Sequence, residues 1–163
     1  MREPSELYKM MQEPLPSISF QKRLGYRTSH REVVLLYKTI NETIFDNILH
    51  TPTIEVSSHC QKYWGICEAS YEKVRFRNTH CNIRMMDKWF CKQWLIATLA
   101  HEMCHQYQWD ILGPIRLDEG KQPILSHGPS FFVFRDKLAQ HGIRLKSHYG
   151  MRRWLKHQNF QKC

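Results

Sequence analysis

The chain has six cysteines but no Cys-x-x-Cys pair, so it does not encode a four-thiolate zinc ribbon. It also lacks any stretch near the roughly eighteen uninterrupted apolar residues that a membrane helix needs, which excludes a helical membrane span. Residues 1–15 carry Glu3, Glu6 and Glu13 and no continuous apolar core, unlike a secretory signal. The expected location is therefore cytoplasmic or DNA-associated, where Cys60, Cys67, Cys81, Cys91, Cys104 and Cys163 stay reduced. Free thiols of this kind behave as small core side chains. Cys60 and Cys67 could meet across a hairpin, but burial accounts for them equally well. Internal repeats and low-complexity segments are absent too.

Acidic residues are scarce, with 15 Asp and Glu against 24 Lys and Arg and a net charge of +9. The excess is concentrated between Arg135 and Cys163, which holds eight Lys or Arg and a single acid, Asp136. Tyr149, Trp154 and Phe160 are interleaved with those cations. Arg144, Lys146, Arg152, Arg153, Trp154 and Lys156 are thus candidates for nucleic-acid contact, cations neutralising phosphates and rings stacking on bases. The same residues also suit a solvated basic face. Met151, Trp154 and Leu155, at helical spacing, could equally form a buried stripe.

With 163 residues and 42% hydrophobic content, the chain can bury a core as one domain. Residues 1–28 read as an N-terminal extension, Pro14 and Pro16 breaking any long helix, and 29–163 as the domain proper. An amphipathic helix is expected from Arg31 to His50, stopped before Thr51-Pro52. Strands are expected at Thr53 to Ser57, Tyr63 to Ser70 and Cys81 to Met86. Glu72 to Asn78 alternates, with Val74 and Phe76 on one face and Lys73, Arg75 and Arg77 on the other. Asp87 is a candidate cap for a long helix from Lys88 to about Trp109, free of Gly and Pro, whose core stripe is Leu95, Leu99 and Met103. A loop follows from Gly113-Pro114. A last helix is expected from Phe131 to Gln140, ended by Gly142. The order is that of an α+β fold, a small sheet with a long helix and flanking helices.

The long helix carries His101-Glu102-Met103-Cys104-His105. Histidines four apart project from one helix face about one turn apart and can share one zinc ion. Glu102, about 100° round the axis, is placed to meet a metal-bound water without being a third ligand with them. That division suits hydrolysis: the metal lowers the pKa of its water to about 7 and polarises a carbonyl, and the carboxylate moves the proton. Two exposed histidines on a surface helix would give the same spacing by chance, but the flanking Leu95-Ile96-Ala97 and Tyr107 belong to a strongly apolar helix. A di-iron centre built on Glu102-x-x-His105 would need a second Glu-x-x-His, and none of the nine other glutamates has a histidine three residues later. The preferred third ligand is His127 in Ser126-His-Gly-Pro-Ser-Phe131, between a loop and a helix. His141 and His148 are the competitors.

Together, Leu95-Ile-Ala-Thr-Leu-Ala-His-Glu-Met-Cys-His105 and His127-Gly-Pro-Ser-Phe131 resemble the SprT-like zinc metalloprotease family, which includes Spartan-type proteases acting on DNA-bound proteins. Tyr37-x-x-x-Asn41-x-x-x-Phe45, Thr53 to Ser57 and Gly65-Ile-Cys67 support the likeness, which spans about Arg31 to Gly142. The resemblance implies a zincin-like core, one catalytic zinc on His101, His105 and His127, Glu102 as general base, and proteolysis of proteins bound or crosslinked to DNA. Two features depart from the family pattern. Twenty-one residues separate His105 from His127, so the loop from Leu112 to Leu125 could cover the cleft. The zinc ribbon of some members is also missing, which shifts DNA contact to the basic C-terminal segment or to Lys73, Arg75 and Arg77. Two other functions fit the sequence: a basic zinc-stabilised nucleic-acid-binding module without protease activity, and a zinc amidase or hydrolase on a non-protein substrate. Glu102 separates the first of these from an enzyme, because a structural zinc closes with four protein ligands and has no use for that carboxylate.

Overall fold

The computed structural model describes residues 2–14, 25–58, 64–71, 79–113 and 126–147. Among these described residues, four helices and five strands follow in the order α1 (Glu6–Met11), β1 (Tyr26–Arg27), α2 (His30–Phe45), β2 (Thr53–Ser57), β3 (Gly65–Tyr71), β4 (Thr79–Met86), β5 (Lys88–Trp89), α3 (Lys92–Asp110) and α4 (Arg135–Gln140). This is a mixed α/β architecture in which a small sheet packs on the long helix α3. The strand alternation expected at Glu72 to Asn78, the loop from 114 to 125, and residues 148–163 lie outside the described residues.

Strand β4 is the middle of the three-stranded sheet. It pairs in parallel with β2, Thr53 opposite Asn82, and antiparallel with β3, Gly65 opposite Met85. Its alternation sorts the two faces: Cys81, Ile83 and Met85 are buried, and Arg84 points outward. There Arg84 joins Glu55 of β2 at 3.2 Å and Glu68 of β3 at 2.9 Å. These groups are about half exposed, so the pairs add at most about 1 kcal/mol each.

Helix α3 lies against the inner sheet face, and every residue from Gln93 to Cys104 is buried. Burial on all sides explains why its sequence is apolar around the whole circumference rather than striped. Gln106, a fully buried polar side chain of this helix, is satisfied. Its amide nitrogen donates to the His50 carbonyl at 2.6 Å and to Asp110 at 2.9 Å, and its oxygen accepts from the Tyr37 hydroxyl at 2.9 Å. These bonds tie α3 to α2 and to the turn after it, as the cost of an unpaired buried amide requires.

Two sequence expectations are revised. Asp87 does not cap α3. The helix starts four residues later at the Cys91 N-cap, because Lys88 and Trp89 form β5 and pair with β1. Residues 131–134 are turns rather than the first turn of α4, since Phe131, Phe132 and Arg135 donate to carbonyls three residues back. Residues upstream of α2 also enter the core. Ser29 caps α2 with its side chain, whereas α1, further upstream, buries Leu7 and Met11 completely. Gln93 donates to the Glu13 carbonyl at 2.6 Å, and Ser5 bonds His141 at 2.6 Å. Gly142, with φ of 80°, lets the chain after α4 close on Met11.

If α1 belongs to the core, Leu7→Ala should cost about 2–5 kcal/mol and lower the thermal midpoint by on the order of 10 °C. A midpoint within about 2 °C of wild type would make α1 dispensable.

Candidate metal centre

The helical period brings His101 and His105 to one face of α3, and the turn from Ser126 to Ser130 returns His127 against them. The Nε2 of His127 lies 3.2 Å from that of His105 and 3.3 Å from that of His101. With zinc–nitrogen bonds of about 2.0–2.1 Å, the edge of a tetrahedron is about 3.3–3.4 Å. Two edges of the cluster therefore already have zinc dimensions. These three are the His, Cys, Asp and Glu residues that come together as a possible metal site among the described residues. The competitor His141 is instead taken up by Ser5, and His148 lies outside the described residues.

The other ring nitrogens fix the tautomers. His101 Nδ1 is 2.8 Å from the Lys146 carbonyl oxygen, which can only accept, so Nδ1 carries the proton and Nε2 presents its lone pair. His105 Nδ1 donates in the same way to the Gln108 side-chain oxygen at 3.0 Å. In the metal-free protein a proton on His127 Nε2 can be shared with both neighbours, and a bound dication displaces it. Phe131 closes the apolar side of the cluster, its ring 4.7 Å from those of His101 and His105 and 4.9 Å from that of His127. The donor set, its spacing and its tautomers all fit zinc.

Glu102 is turned toward the sheet and is only 7% exposed. Burial pushes its carboxyl up to about 7, against a hydrogen bond from the Cys67 backbone N–H that lowers it. A dication on the histidines would favour the ionised form further. Strand β3 reaches the carboxylate only because residue 65 is glycine. A Cβ there would stand 2.8 Å from Met85 Sδ, 3.2 Å from Thr98 and 3.3 Å from the Glu102 Cγ. Trp64, just before it, packs against Trp94 with ring centroids 4.5 Å apart.

Of the nucleic-acid candidates, Arg144 is exposed and Lys146 half-buried, next to the buried Ile143 and Leu145. Arg152, Arg153, Trp154 and Lys156 lie outside the described residues. Sequence reasoning gave Lys146 to nucleic acid, while the structure puts its carbonyl on a metal-site histidine. Nothing in a side chain could have signalled that backbone contact. Gln108 was also missed, although its place three residues after His105 on one helix was a usable signal.

Residues 33–149 match the SprT-like family. No curated protein matches the chain.

The geometry predicts one zinc per chain and its loss with the third histidine. Metal analysis after dialysis should find about one equivalent in wild type and little in His127→Ala. Full zinc in that variant would remove His127 from the site.

Proposed function

The chain belongs to the SprT-like family, and from that premise we propose that it is a zinc-dependent endopeptidase. The observation that supports the reading best is the convergence of three imidazole nitrogens beside a buried carboxylate that is not part of their cluster. Zinc held by His101, His105 and His127 would supply Lewis-acid activation of a water and of the scissile carbonyl. Glu102 takes the proton of the attacking water as the new C–O bond forms. The same carboxyl then delivers that proton to the amine nitrogen as the C–N bond breaks. The Cys67 N–H aims the carboxylate for both transfers, and the aromatic floor of Phe131 keeps the histidine rings in place.

The proposed substrates are proteins bound or crosslinked to DNA, with the basic segment from Arg135 to Cys163 holding nucleic acid nearby. The +9 charge and the clustering of cations in that segment support this reading. Arg144 and Lys146 belong to that segment, and the Lys146 carbonyl lies against the His101 ring.

Cleavage of a DNA-binding protein, with and without DNA, by wild type and Glu102→Gln at equal zinc occupancy tests both levels of the reading. Wild type should cleave, DNA should raise the rate in a salt-sensitive way, and Glu102→Gln should lose about 10²–10⁴-fold while keeping its zinc. Near wild-type turnover by Glu102→Gln would overturn the mechanism. Cleavage indifferent to DNA at every salt concentration would overturn the substrate class alone.

A further inference from the structure

Gln108 is fully buried one turn beyond His105, at the end of α3 that faces the His127 turn. Its side chain has two polar ends, and both are used. The oxygen accepts from His105 Nδ1–H at 3.0 Å, and the nitrogen donates to Ser130 Oγ at 2.9 Å. Ser130 stands three residues after His127, in the turn that carries this histidine, with Phe131 next to it packed on all three rings. One amide thus connects a ligand on the helix to the turn that supplies the third.

We propose that Gln108 is a positioning residue for the metal centre, a clamp that sets the tautomer of His105 and fixes the His127 turn at metal-binding distance. This rests on the zinc reading above. The chemistry gives each bond a separate task. Without an acceptor at Nδ1, His105 is free to carry its proton on Nε2, which is then unable to bind a cation. Without the bond to Ser130, the turn that carries His127 loses its side-chain tie to α3 through Gln108, although twenty-one residues separate His127 from His105 in the chain. An amide suits the position because it accepts at one end and donates at the other without a charge that would need pairing in a buried place.

The test reads zinc affinity directly, by competition with a chromophoric chelator, and needs no proteolysis. Gln108→Leu fills similar volume but makes neither bond. It should weaken zinc binding roughly 10–100-fold, while the thermal midpoint of the metal-free protein stays close to wild type. Gln108→Glu should restore affinity to within a few-fold, because a carboxylate accepts from His105 and the Ser130 hydroxyl can rotate to donate to it. Ser130→Ala removes only the second bond from a partly buried turn and should cost several-fold with the fold kept; it carries the test if Gln108→Leu does not fold. Wild-type zinc affinity in Gln108→Leu or in Ser130→Ala would overturn the clamp, as would a Glu variant as weak as the Leu one. A wild type that binds zinc tightly but cleaves no protein would instead refute the peptidase reading and leave the clamp standing.

Discussion

Three imidazole nitrogens that lie within 4.8 Å of one another need a shared proton or a cation among their lone pairs to meet at low cost. Much of the molecule is arranged to hold that convergence. Helix α3 supplies two rings by its period, but it does so from the middle of the apolar core, where rotation of the helix would expose leucines and part the buried glutamines from their hydrogen-bond partners. The Gln106 network with Tyr37, His50 and Asp110 fixes that rotation from the far side. On the near side, the Lys146 carbonyl and Gln108 hold the rings. The metal site and the core are therefore one construction, in which a change that lets α3 turn also separates the nitrogens.

The carboxylate beside the cluster depends on the sheet rather than on the helix. Glu102 follows His101 in sequence and so points about 100° away from it, into the surface that β3 covers. A side chain at residue 65 would push that strand back from Met85 and Thr98 and take the Cys67 N–H with it. The close approach of β3 gives the carboxylate both a dry surrounding and one oriented donor, which act in opposite directions on its proton affinity. A base that must accept a proton and then release it within one reaction benefits from that balance.

Much of this was legible in the sequence where a local rule decided the outcome. The period of α3 put His101 and His105 together, and Thr53 to Ser57 and Cys81 to Met86, read as strands, lie in β2 and β4. The His-Gly-Pro turn pointed to His127, which the structure brings to the other two. Long-range packing was not legible. Leu7 and Met11 lie in a short helix before two prolines, and only the groove beside α2 and Gly142 makes them core residues. Lys88 and Trp89 look helical next to α3, yet pairing with Tyr26 and Arg27 draws them into β5. A backbone carbonyl, such as that of Lys146, leaves no mark in composition at all.

The central claim is that these three histidines hold a zinc ion whose chemistry, with Glu102, cuts polypeptide chains. Its most direct test is reconstitution: metal stripped from the wild-type protein with a chelator, zinc added back in steps, and hydrolysis of an unfolded protein substrate followed at each step. The account predicts that the stripped protein is inactive and that activity rises in proportion to zinc and levels off at about one equivalent per chain. Activity that survives complete removal of the metal, or zinc bound at one equivalent with no cleavage of any polypeptide, would contradict it.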